Sequence, residues 1–288
     1  MGADQEPFPM RLSYVIDRPI PLKDFLKDHD LSKKALTAIK HRGGKILVNG
    51  EERTVRYLLQ PEDQLVIEFP PEPRGGGLEP WDMELNIVYE DDYLLVLDKP
   101  AGIPVIPTRR YPDKTLANGI IHYYDKHGIG ATVHFVNRLD KDTSGLLVVA
   151  KYRHIHHLLT RDIKMVKRKY LALVNGCPSP LEGTIDAPIA RLEELSVKRG
   201  VREDGQDSRT HYRVVERLGA VSLVECELET GRTHQIRVHM SYVGCPLVGD
   251  FLYGDHVVVD GQRLHSYFLA FRHPITGREL SFESAFPY

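Results

Sequence analysis

The chain has 288 residues, 42% hydrophobic and 27% charged, which is enough apolar material for a substantial core and excludes a disordered or fibrous chain. Lys plus Arg number 38 against 40 for Asp plus Glu. That balance excludes a uniformly polycationic protein, so a polyanion partner would have to be met by local patches.

Residues 11–70 read as a compact α/β unit. Pro21–His29 and Ser32–His41 have helical periodicity, with Ser32 as N-cap of the second helix and Gly43-Gly44 as its end. Lys45–Asn49, Val55–Leu59 and Gln64–Phe69 read as short strands. Five basic side chains and no acidic one lie between Lys33 and Lys45. Lys33, Lys34, Lys40 and Arg42 are therefore candidate RNA contacts, with a solvated basic helix as the competing reading. Pro70–Pro80 carries four prolines and three consecutive glycines, which predicts a flexible linker over 71–83. From residue 84 to 288 strand signals dominate. Asn86–Tyr89, Tyr93–Asp98, Gly145–Ala150, Tyr170–Val174, His211–Glu216, Ser222–Glu229, His234–Met240 and Tyr267–Arg272 are predicted strands. Helices are predicted at Thr115–His127 and His154–Asp162. Strands outnumber helices and do not alternate with them, so the fold class is α+β with a mixed, largely antiparallel sheet. Val197–Ser208 reads as a mobile surface loop.

Cys177, Cys226 and Cys245 are isolated and odd in number, so neither a disulfide framework nor a zinc site is expected, and a reducing cytoplasm is the simplest home. The opening MGADQEPFPM lacks the basic start and apolar core of a signal peptide, and no apolar run is long enough to span a bilayer. No membrane contact, metal or small-molecule cofactor is expected, and the chain is expected to be a monomer. His154, His156 and His157 do not make a metal cluster, because on a helix only the first and last share a face. They read as polar helix surface.

The most informative stretch is 134–151. Leu146–Ala150 is apolar and rich in β-branched residues, as in a buried strand. Just before it come Arg138, Asp140, Lys141 and Asp142, then Thr143, Ser144 and Gly145. A charged loop anchored to a core strand places a carboxylate where it is partly desolvated. On composition alone, Asp140 would be an Asx-turn residue accepting from the amides of Thr143 or Ser144.

The string Arg-Leu-Asp-x-x-Thr-Ser-Gly-Leu resembles the catalytic motif of the RluA-type pseudouridine synthases, which isomerise uridine in RNA. Glu90–Gly102, Lys167–Val174, Thr230–Met240, Pro246–Gly254 and Leu264–Pro274 resemble further motifs of that family in the same order. The resemblance spans about residues 85–285, with one departure: the family usually has His before Arg-Leu-Asp, and here it is Asn137. It implies an isomerase with Asp140 as catalytic carboxylate, Arg237 as its counter-ion and Tyr170 at the base. It also implies RNA contacts from Arg138, Arg109, Arg110, Lys167, Arg168 and Lys169. Period-two alternation over 233–240 independently places Thr233, Gln235, Arg237 and His239 on one polar strand face, with His234, Ile236, Val238 and Met240 turned to the core. Residues 11–70 resemble the small RNA-binding module of ribosomal small-subunit protein four. The expected partner is RNA, ribosomal or else transfer RNA. The alternative is a non-catalytic RNA-binding or ribosome-assembly factor, against which the intact trio Asp140, Tyr170 and Arg237 argues.

Overall fold

The computed structural model describes residues 10–74, 77–161, 163–194, 196–254 and 261–288. The first strand β1 (Arg11–Val15) is followed by β2 (Ile20–Pro21), α1 (Leu22–Asp28), α2 (Lys33–His41), β3 (Lys45–Val48), β4 (Glu51–Glu52), β5 (Leu58–Leu59) and β6 (Gln64–Glu68). Four of these form a sheet ordered β1-β6-β3-β4. Ser32 caps α2, its hydroxyl accepting the amide of Ala35 at 3.1 Å.

Beyond residue 85 the elements are β7 (Ile87–Glu90), β8 (Leu94–Lys99), α3 (Leu116–Lys126), β9 (His134–Phe135), β10 (Ser144–Ala150), α4 (Arg153–Arg161) and β11 (Lys167–Asn175). They continue with β12 (Glu182–Asp186), β13 (Ile189–Arg191), β14 (Arg199–Val201), β15 (Arg209–Leu218), β16 (Val221–Leu228), α5 (Gln235–Tyr242), β17 (Leu264–Arg272) and β18 (Glu279–Glu283). Ten strands form one sheet along the path β12-β15-β16-β11-β17-β10-β8-β7, with β18 beside β17 and β9 beside β10. The fold is α+β and the sheet is largely antiparallel. Its parallel pair, β10 with β17, lies at the centre and sets Ser144 against His265 and Gly145 against Ser266.

That pairing explains the glycine after Thr-Ser. Gly145 has φ of 105°, and a Cβ there would lie 2.3 Å from the carbonyl oxygen of Ser266. Only glycine lets the two strands meet at this point. The rest of β10 is buried on both faces. Leu146, Val148 and Ala150 belong to one apolar cluster that takes in Ile155 and Leu159 of α4 and extends to Leu12, Phe25, Ile39 and Ile67 of the N-terminal unit. Leu147 and Val149 pack with α3 and with Ile236 and Met240 of α5. Full burial of such side chains contributes roughly 1.5–3 kcal/mol each, so the charged loop before β10 hangs from a rigid support.

Three expectations are corrected. His234–Met240 is not a strand: α5 occupies Gln235–Tyr242. The core residues Ile236 and Met240 are four apart, a spacing that satisfies a strand and a helix alike, so alternation could not tell them apart. Residues 197–208 are not a loop throughout, since β14 pairs with β13 as a hairpin. The Pro-rich stretch is pinned on its first side: Glu72 accepts from the amide of Arg153 at 2.6 Å and contacts His134 at 2.8 Å. Arg74 donates to the carbonyl of Ile129 at 3.0 Å and pairs with Asp125. Gly75, Gly76 and most of the opening decapeptide lie outside the described residues. Among the described residues no helix is long and apolar enough to cross a membrane.

Candidate active site

The loop between β9 and β10 presents Asp140 at the end of the central strand. Its turn closes through the backbone, Thr143 N–H donating to the Asp140 carbonyl at 3.2 Å. The carboxylate is therefore not spent on an Asx turn. Instead Oδ2 accepts from Arg237 Nη1 at 2.8 Å, and the Asp140 side chain is 26% exposed. Arg237, on the first turn of α5, is buried and uses all three of its nitrogens. Nε and Nη2 bind the two oxygens of Asp250 at 2.6 and 2.8 Å, a bidentate fork. Burial disfavours the guanidinium, but the bonds to Asp250 and the charges of Asp140 and Asp250 outweigh it and raise its pKa. Asp250 is itself fully buried and also accepts from the amides of Leu252 and Tyr253 at 3.0 and 3.2 Å. The Tyr253 ring lies 5.1 Å from the guanidinium carbon. Arg237 is thus a buried cation anchored on one carboxylate and offering its remaining donor to another that is partly exposed.

Tyr170, on β11, is buried. Burial pushes its phenol pKa up, Arg168 and a hydrogen bond to Ser266 pull it down, and Asp140 pushes it up again. The phenol stays protonated at neutral pH. Asn137 takes a structural place: its Oδ1 accepts the amide of Val148 on β10 at 2.9 Å. Arg138, Arg109 and Arg110 are exposed, as are Lys33, Lys34, Lys40 and Arg42 on and just after α2.

The basic run before Tyr170 is less uniform than expected. Lys167 is exposed, but Lys169 lies 3.5 and 3.7 Å from Glu225 and Glu227. Arg168 is buried, with Nε and Nη2 unpartnered among the described residues. Alternate residues of a strand face opposite sides, so Arg168 turns inward while Lys167 and Lys169 share the other face, where Lys169 meets the two glutamates. Of the polar set expected to share a face with Arg237, Gln235 and His239 turn away from Asp140, both bonding to Thr210. His154 is not surface: it is buried against Phe69, ring centroids 5.1 Å apart, and burial lowers its pKa to about 4.

Against this geometry stand the comparisons. Residues 93–242 match the model of the RNA pseudouridylate synthase family. The chain belongs to that family. It is 44% identical over 269 residues to the uncharacterized RNA pseudouridine synthase YjbO of Bacillus subtilis, covering 92% of this chain and 95% of that one. It is 40% identical over 263 residues to ribosomal large subunit pseudouridine synthase D of Pseudomonas aeruginosa, covering 85% and 82%. Among solved structures it is similar to human RNA Pseudouridylate Synthase Domain Containing 1, with a TM-score of 0.60 and 27% identity over 75% of this chain and 87% of that one. The enzyme is an isomerase that acts on RNA.

Three residues around the synthase's carboxylate escape sequence reasoning. Asp250 lies in a matched motif, but nothing in PLVGDFLYG says that its aspartate anchors an arginine. Lys99 ends β8 almost fully buried, its ammonium donating to the carbonyls of Pro100, Ile103 and Lys141 at 2.7, 2.9 and 2.8 Å. It ties the turn after β8 to the loop of Asp140. Burial lowers its pKa to about 7, partly offset by Asp142 and Asp140. His234, assigned to the core by strand alternation, comes within 3.8 Å of Asp140.

Proposed function

We propose that the synthase converts specific uridines of structured ribosomal RNA to pseudouridine with Asp140 as the catalytic carboxylate. The observation that carries this reading is the Asp140–Arg237–Asp250 chain. A buried, doubly anchored cation spends one donor on a single oxygen of a carboxylate that stays partly exposed. A carboxylate with no chemistry to do could lie in solvent and spare the fold a buried guanidinium.

In the reaction the bond from ribose C1′ to N1 breaks with its electron pair on uracil, and the base turns. C5 then bonds to C1′, the C5 proton leaves, and N1 gains one. Atoms and electrons balance without an oxidant or a group donor. Asp140 acts covalently on one fragment while the other turns. Arg237 holds it in place through one hydrogen bond, and Tyr170 offers a protonated phenol ring on which the base can rest.

In this reading residues 11–70 form an RNA-binding module like that of ribosomal small-subunit protein four, 71–83 connect it, and 84–288 form the catalytic domain. Lys33, Lys34, Lys40 and Arg42 contact phosphates on one side, and Arg138, Arg109, Arg110 and Lys167 on the other. Arg168 and Lys169, buried and paired respectively, are withdrawn from the surface contacts. Ribosomal RNA is favoured over transfer RNA by the relatives named for the large subunit. Mapping pseudouridine across cellular RNA tests the whole reading. Cells lacking the protein and cells carrying Asp140→Asn should lose the same sites, in large-subunit ribosomal RNA. Modification that persists with Asp140→Asn refutes the carboxylate, and loss confined to transfer RNA refutes the substrate.

A further inference from the structure

His234 precedes α5 with a left-handed backbone, φ 58° and ψ 21°, a conformation uncommon for residues that carry a β-carbon. Its ring makes no capping bond to the helix. The loop before α5 is closed instead by Gln235, whose Oε1 accepts from Arg232 N–H and from the Thr230 hydroxyl. Helix formation therefore does not explain the histidine.

The ring is oriented for another purpose. It is 13% exposed, with Nδ1 2.8 Å from the Tyr253 hydroxyl. That hydroxyl already accepts the amide of Arg199 at 2.9 Å, so its own hydrogen is free to go to Nδ1. The imidazole proton then sits on Nε2. Nε2 lies 3.8 Å from Asp140 Oδ2, the oxygen that also accepts from Arg237. Burial holds the imidazole below its ordinary pKa, Asp140 and Asp250 pull it up, and Arg237 and Arg199 push it down, so the ring is neutral at pH 7. A neutral donor can approach a carboxylate already paired with arginine without adding a second full charge. Oδ1 is left without a hydrogen-bond donor among the described residues.

We propose that His234 is a positioning residue for the isomerisation: set by Tyr253, its Nε2–H closes on Oδ2 of Asp140 when RNA fills the cleft, so that Oδ2 is held from two sides and Oδ1 is the oxygen presented to the uridine. The proposal rests on Asp140 being the catalytic carboxylate. Catalytic hydrogen bonds are commonly long before substrate binds and shorten afterwards.

The test uses RNA extracted from cells lacking the protein and labelled with tritium at uracil C5, because isomerisation releases that hydrogen. His234→Gly removes the ring and relieves the left-handed backbone, so the variant should fold. Its kcat should fall on the order of 10- to 100-fold with KM within about twofold, as for a misaimed reacting group. His234→Gln carries an amide N–H to the place of Nε2 and should recover most of the rate. Tyr253→Phe keeps the ring beside Arg237, loses the bond to Nδ1, and should fall between them. The proposal is overturned by a wild-type kcat in His234→Gly, by an effect confined to KM, or by a loss that glutamine does not repair. Asp140→Asn, run alongside, separates the two readings. Its activity would sink the carboxylate itself, whereas an inactive Asp140→Asn beside a fully active His234→Gly sinks only the role of His234.

Discussion

The basic surface of α2 and the buried cation beside Asp140 place positive charge by opposite means. Lys33, Lys34, Lys40 and Arg42 stand in solvent, where charge costs little and position is loosely set. Arg237 is buried, its three nitrogens divided between two carboxylates contributed by segments 97 and 13 residues away in sequence. The surface kind needs only its own helix. The buried kind needs α5, the segment after it and the loop before β10 all in place. Binding tolerates the first, whereas chemistry on one uridine requires the second.

Breaking the buried side should have the largest effect. Arg237→Met removes the only counter-ion within hydrogen-bond reach of Asp250 among the described residues and leaves that fully buried carboxyl group without a cationic partner. A loss of about 3–5 kcal/mol in stability is expected, with pseudouridine formation abolished. Urea titration of the purified protein measures the first. A variant as stable as the parent would mean that Arg237 is no anchor.

A half-buried carboxylate sharpens the comparison by lying between the extremes. Asp91, in the turn between β7 and β8, accepts from the amides of Tyr93 and Leu94, from the Tyr89 hydroxyl, and at 2.9 Å from His273. Burial works to raise its pKa, but these partners, His273 first, lower it to about 2 from 3.8. A depressed carboxylate pKa stabilises the fold above its unfolded value, and that contribution is lost as pH falls from about 4 toward 2. Asp91→Asn should cost about 2 kcal/mol at neutral pH and should flatten the stability profile in that window. Urea midpoints taken across pH 2–5 would show it, and parallel profiles for parent and variant would contradict it.

The smallest structural effect belongs to the surface. Neutralising Lys33, Lys34, Lys40 and Arg42 together should move stability by less than about 0.5 kcal/mol per site. It should weaken RNA binding, with the slope of log K against log salt falling by nearly one for each phosphate no longer neutralised. Unchanged affinity and slope would leave α2 as solvated surface.

The same contrast marks what could be read in the sequence. Leu146–Ala150 announced a buried strand because its residues carry the signal themselves, and Ser32 announced its helix because capping is local. The loop of Asp140 was legible through its motif, and the strand pattern placed the two long hairpin strands β15 and β16. Arg237 sits on a different element from the expected one: 236 and 240 fit both periods, so strand alternation puts His234 in the core and Gln235 on the polar face with Arg237, the reverse of what α5 does with them. Arg168 looked like its neighbours Lys167 and Lys169, because a run of like charges says nothing about which face each takes. Asp250 and Lys99 were invisible as site residues, since their partners are carbonyls and a guanidinium brought together only by the tertiary fold.

The central claim is that Asp140 does the chemistry while the buried fork holds it. Replacing Asp140 with Asn removes the reacting charge yet leaves Arg237 on Asp250, so the fold and the RNA surface should stay intact. The most direct measurement is single-turnover tritium release from C5-labelled RNA by purified Asp140→Asn protein, with RNA affinity and thermal midpoint taken on the same preparation. The account predicts no release at unchanged affinity and an unchanged or raised midpoint. Release at a rate near that of the parent would contradict it.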